Sequence, residues 1–86
     1  MQNQERYEQY LLGRPVKRTS VPSYVSSITN VEGSLGAEVD SLLSAGLNNL
    51  IDRIQISNPH FAGRAPKKLS DFRTAVRRYA EAIGVK

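Results

Sequence analysis

Cysteine and tryptophan are absent from this chain, and it carries one histidine. Without cysteine there is neither a disulfide framework nor a thiolate metal site, and His60 cannot build a zinc centre alone. No apolar run approaches the roughly 20 residues of a membrane span, and the opening "MQNQERYEQY" is too polar for a signal peptide. These absences point to a soluble, unexported chain of the cytoplasm with no membrane partner. No segment alternates apolar and polar residues with period two beside a hairpin turn, so no sheet is expected. A phosphate-cradling glycine loop, metal-ligand spacing and an acid/base carboxylate pair are all missing. The chain therefore reads as a non-enzyme with no cofactor, metal or small-molecule substrate.

Helical periodicity is what the sequence does contain. Its 86 residues make one small domain, residues 1–86, with a single modest core. From Asp71 the apolar positions Phe72, Ala75, Val76, Tyr79, Ala80 and Ile83 recur at spacings of three and four, with Ser70 as N-cap and Gly84 past the end. Between Pro22 and Leu35 a second stripe joins Tyr24, Val25, Ile28, Val31 and Leu35, and Gly33 and Gly36 mark its end. From Glu38 to Gln55 the residues Val39, Leu42, Leu43, Leu47, Leu50, Ile51 and Ile54 keep helical spacing, while Gly46 leaves one helix or two shorter ones open. Residues 3–12 give a short first helix closed by Gly13 and Pro15. The fold class is all-α, a small bundle of four or five helices. Its expected core holds Tyr24, Ile28, Leu43, Leu50, Phe72, Val76 and Tyr79, with Tyr7 and Tyr10 also on apolar stripes.

Charge is distributed unevenly. Residues 1–30 hold four basic and two acidic side chains, residues 31–60 one and four, and residues 61–86 seven and two. Such clustering lets a small domain present a positive face to a polyanion. Two segments, "GRPVKRTS" and "GRAPKKLS", each place cations and a hydroxyl directly before an amphipathic helix. On the last helix Arg73 and Arg77 are four apart, and with Arg78 and the upstream Lys67 and Lys68 they predict a continuous basic strip, countered in part by Glu81 and Asp71. The second helix turns Ser23, Ser26, Ser27, Thr29 and Asn30 outward behind Lys17 and Arg18, a mixture of short donors and cations suited to phosphate contacts.

The segments "TSVPSYVSSITNVEGSLG" and "KKLSDFRTAVRRYAEAIG", separated by a leucine-rich helix and preceded by "YEQYLLGR", resemble the N-terminal core-binding domain of tyrosine recombinases, the phage-integrase family. The likeness spans residues 5–83 and rests on pattern. It implies a SAM-like bundle that clamps one side of duplex DNA. The DNA-facing positions it implies are Lys17, Arg18, Thr19, Ser20, Ser23 and Ser27 at the second helix, and Lys67, Lys68, Ser70, Arg73, Thr74 and Arg77 at the last, with Arg64 in the basic segment ahead. The recombinase catalytic constellation is missing: His60 is followed three residues later by Gly63, not arginine, and stands in a loop.

Duplex DNA is the first partner these features suggest. A small helical protein-interaction module with no nucleic-acid role is the alternative, docking through its basic face or through Glu32, Glu38, Asp40 and Asp52. Met1 fits a native start and "AIGVK" fits a linker towards a catalytic domain or partner, so a whole protein and a piece of a larger DNA enzyme both remain open.

Overall fold

The structure, a computed structural model, describes residues 1–14 and 17–85. Five α-helices occupy them: α1 (Gln4–Leu12), α2 (Val21–Leu35), α3 (Val39–Leu43), α4 (Leu47–Arg53) and α5 (Pro66–Ile83). Short 3₁₀ turns at Arg18–Ser20 and Pro59–Phe61 lead into α2 and towards α5, and no strand occurs among the described residues. The all-α bundle expected from periodicity is present. Pro15, expected to close the first helix, lies outside the described residues.

Two glycines set the punctuation. Gly46 adopts φ 106° and ψ 140°, a conformation essentially restricted to glycine, and it divides the leucine-rich stretch into α3 and α4. Gly84 sits in the left-handed region at φ 78°, and beyond it the Val85 N–H donates to the Ala80 carbonyl at 2.9 Å, closing α5 in a Schellman motif. Gly33, by contrast, is interior to α2, which runs on to Leu35.

The start of α5 differs from the sequence reading. The helix begins at Pro66 behind Ala65 rather than behind Ser70, because proline's fixed φ and missing N–H suit a first helical position. Lys67 and Lys68 are consequently first-turn helical residues, and Ser70 is an exposed residue inside the helix.

Helix α5 touches α1, α2 and α4, and buries Leu69, Phe72, Ala75, Val76, Tyr79, Ala80 and Ala82. Around that stripe the core closes with Tyr7, Leu11, Ile28, Val31, Val39, Leu43, Leu50, Ile54 and Phe61. Tyr7 meets Tyr79 edge to face, with ring centroids 5.1 Å apart, and its hydroxyl donates to the Ala75 carbonyl at 3.0 Å. Phe61, which no periodicity marked, is fully buried beside Phe72. Two expected core tyrosines correct the sequence reading: Tyr24 and Tyr10 are only half-buried, at the edges of the cluster. Tyr10 uses its hydroxyl to donate to Glu81 at 2.7 Å.

A polar junction ties the beginning of the chain to α3 and α5. The Tyr79 hydroxyl donates to Asp40 Oδ1 at 2.5 Å and accepts the Asn3 N–H at 3.1 Å. Asp40 also accepts from the Gln2 N–H at 2.8 Å and the Asn3 amide at 2.9 Å. Desolvation pushes the Asp40 carboxyl up, but these donors overcome it and hold the group below its ordinary value. On the same junction, burial first and the bond to Asp40 second push the Tyr79 phenol up to about 12.

Two outcomes follow. Phe72→Ala removes a ring with no exposed surface, and should cost about 3–5 kcal/mol, read as a large fall in Tm. Because the folded pKa of Asp40 is depressed, its contribution to stability is fully present above the unfolded value of 3.8 and is lost as pH falls through the folded value. Asp40→Asn should therefore lower stability at neutral pH and flatten its decline below about pH 4, measured by urea unfolding across a pH series.

Candidate nucleic-acid interface

The residues expected to face DNA separate into groups. Ser20, at the end of the turn before α2, and Ser23, Ser27 and Asn30 of α2 recur at spacings of three and four, so they form one line along the helix. Opposite them stand Lys68, Asp71 and Thr74 of α5. With Tyr24 and Ser26 these side chains line an open groove of about 350 Å³ between the two helices. Five of the expected positions, Ser20, Ser23, Ser27, Lys68 and Thr74, thus come together in one concavity. Lys17, Arg18 and Thr19 are exposed on the turn leading to Ser20, and Lys67 and Ser70 are exposed on the α5 side.

The groove is rich in uncommitted hydroxyls. Among the described residues, Ser20, Ser23, Ser26, Ser27 and Thr74 make no side-chain hydrogen bond within the chain. Thr29 and Asn30 behave differently, donating to the Val25 and Ser26 carbonyls at 3.1 and 3.0 Å, and so spend donors on their own helix. No ion pair within 4 Å involves Lys17, Arg18, Lys67, Lys68 or Arg77 among the described residues. Asp71 is the only carboxylate lining the groove. A phosphate oxygen accepts from such hydroxyls and from Lys68, whereas Asp71 accepts only from a donor such as a base amino group.

The continuous basic strip does not form. At about 100° per residue, Lys68, Asp71 and Thr74 fall on one flank of α5 and Arg73 and Arg77 on the other, where they line a second depression against α4. Arg73 donates to the Ile54 carbonyl at 2.6 Å, satisfying a backbone group left free at the end of α4. Arg78 pairs with Glu81 at 3.0 Å, and Arg14 pairs with the same carboxylate at 3.1 Å. Tyr10 and these two arginines hold the Glu81 carboxyl below its ordinary value, the Tyr10 hydrogen bond contributing most. Arg64 donates to Ser34 Oγ at 3.2 Å and lies 5.3 Å from the centroid of the Phe72 ring. Arg64 and Arg73 therefore serve the fold directly, a role that spacing alone did not reveal. His60 is exposed in the 3₁₀ turn, its N–H bonded to the Asn58 side chain.

Sequence reasoning passed over Tyr24 and Asp71 as lining residues. Tyr24 sat on the apolar stripe of α2, and Asp71 was assigned to a helix start that lies further upstream. Among the described residues, no group of three or more His, Cys, Asp or Glu is placed to hold a metal ion, and no helix is long and apolar enough to cross a membrane.

No protein-family model matches the chain, and neither a curated protein nor a solved structure matches it.

The two arginines on the α4 flank should separate in stability measurements. Arg73→Ala removes a charged donor from a carbonyl and should cost about 1–2 kcal/mol, whereas Arg77→Ala, exposed and unpaired, should stay within about 0.5 kcal/mol of the parent. Thermal melts of the two variants compare them directly.

Proposed function

We propose that this chain is a non-catalytic DNA-binding domain that holds one strand of a duplex backbone along the α2–α5 groove and so positions a recombinase-like or other DNA-processing protein. The observation that carries the reading is the groove itself: five hydroxyls without intrachain partners beside Lys68, with Lys17, Arg18 and Lys67 exposed near its two walls. From Ser20 to Asn30 the groove runs for about 15 Å, a span that faces roughly two or three successive phosphates along one strand. Short hydroxyls fit this role because they let a backbone approach closely, while the lysines supply charge without fixing sequence. Asp71 repels phosphate and would set register by meeting a base amino group.

The likeness to the core-binding domain of tyrosine recombinases supports the same reading, and the helical bundle is compatible with the SAM-like arrangement of that family. A docking face made from the acidic middle of the chain is less well supported. Glu32 accepts the Val39 N–H at 2.9 Å and lies 2.9 Å from the Met1 nitrogen; Glu38 accepts from the Gln2 amide, and Asp40 belongs to the Tyr79 junction.

Fluorescence polarisation against a mixed-sequence duplex at several salt concentrations tests the proposal. Four free cations predict a slope of log K against log salt of about −3 to −4, with affinity on the order of micromolar or weaker. Lys67→Ala with Lys68→Ala should flatten that slope by about one to two units. Ser23→Val with Ser27→Val should weaken binding by roughly three- to tenfold and leave the slope unchanged, because neutral donors release no counterions. Absence of binding at low salt overturns the reading.

A further inference from the structure

On the opposite flank of α5 lies a depression of about 450 Å³ between α4, the turn after it and α5, with Ile51, Asp52, Ile56, Pro66, Arg73 and Arg77 in its lining. Among the described residues, the large apolar side chains that stand out of the surface are Ile56, 62% exposed, and Leu12, at 42%. A solitary exposed isoleucine needs no explanation. Here, however, it rims a concavity that Ile51 and Pro66 help to line above the buried Leu69, so ligand and wall have apolar surface to share.

The charges around this depression define what fits it. Arg77 is exposed and has no carboxylate within 4 Å among the described residues, although its neighbour Arg78 is paired. Arg73 commits one N–H to Ile54, and a guanidinium carries five. Asp52 is the only acid at the rim, so arginine outnumbers carboxylate two to one. A nucleic-acid strand would present phosphates to the arginines but nothing to cover Ile56. An amphipathic helix with apolar anchors and flanking carboxylates satisfies both parts of the surface.

We infer that the α4–α5 depression is a docking site for an acidic amphipathic helix of a partner protein, with Ile56, Ile51 and Pro66 against its apolar face and Arg77 against its carboxylates. The site lies across α5 from the hydroxyl groove and does not depend on DNA being bound there.

The probe is a labelled helical peptide of about 16 residues with leucines at i, i+3 and i+7 and glutamates beside them, titrated into the ¹⁵N-labelled chain. Amide shifts confined to residues 51–56 and 66–77, with a dissociation constant on the order of 100 µM or tighter, are expected. Ile56→Asp and Arg77→Glu should each weaken binding by about tenfold, and circular dichroism should show both variants folded because neither side chain is buried. The same peptide with lysine in place of glutamate should not bind. Equal binding of the lysine peptide, or shifts elsewhere, overturns the proposal. So does concentration-dependent dimerisation of the chain alone that Ile56→Asp abolishes, since the occupant would then be a second copy. Loss of duplex binding in Arg77→Glu without any peptide binding also overturns it, by assigning the arginine to DNA. Peptide binding in the Lys67→Ala, Lys68→Ala variant should equal that of the parent, so the docking site stands or falls separately from the DNA reading.

Discussion

A single helix has one apolar face, and α5 must satisfy three neighbours with it. Its stripe from Leu69 to Ala82 is buried against α1, α2 and α4 together, so the polar side chains are left to the two flanks and to an outward face that carries Lys67, Ser70 and Glu81. This constraint, more than any pairing of charges, decides what the molecule presents outside. Lys68 and Thr74 are turned towards α2, where serines meet them; Arg73 and Arg77 are turned towards α4, where isoleucines do. Arg73 also closes the free end of α4, so the same side chain that bounds one surface holds in place the helix that forms its other wall.

Four of the eight acidic residues, Glu32, Glu38, Asp40 and Glu81, complete the electrostatic layout by being used internally. Asp40, Glu32 and Glu38 accept hydrogen bonds from the first residues of the chain and from the start of α3, and Glu81 serves Tyr10, Arg14 and Arg78. Carboxylates with several donors are poor docking groups, because a partner would have to displace bonds already made. Of the cations in the two basic segments, Arg14 pairs with Glu81 and Arg64 bonds Ser34, while Lys17, Arg18, Lys67 and Lys68 have no such partner among the described residues. Beside Asp71 in the groove and Asp52 in the depression, positive charge is therefore the larger part of what these surfaces offer a ligand.

Much of this was legible in the sequence, for physical reasons that differ from element to element. Spacings of three and four located α2, α5 and the leucine-rich stretch because burial of one face imposes that period. Gly46 was legible as a break but not as a certainty, since a glycine within a helix and a glycine at positive φ look alike in one dimension. Ser70 misled because a hydroxyl before an apolar run imitates an N-cap, while Pro66 four residues earlier was the stronger start. Phe61 and Tyr24 exchanged places relative to expectation: the first lies in a turn without periodicity yet fills the core beside Phe72, and the second lies on the stripe yet reaches only its edge. The grooves were partly readable, in the serine line of α2, but which arginine met backbone and which met solvent required knowing that α4 ends beside Arg73.

The distance between the two surfaces determines whether they act as one. Lys68 and Arg77 are separated by nine residues of α5, about 13 Å along the axis, and stand on opposite flanks. At physiological ionic strength the screening length is about 8 Å, so Arg77 adds little to the potential at Lys68, but Thr74 of the same groove lies one turn from Arg77, where a phosphate still feels the arginine. Spacing along the sequence suggested a single cationic strip acting in concert. The helix instead divides the charge into two fields that meet only near Thr74, so a ligand at the Lys68 end of the groove is nearly independent, through electrostatics alone, of a ligand on the α4 flank. Coupling at longer range has to pass through α5 itself, whose stripe is packed against α1, α2 and α4, and a rigid helix transmits an occupied state only by moving as a body.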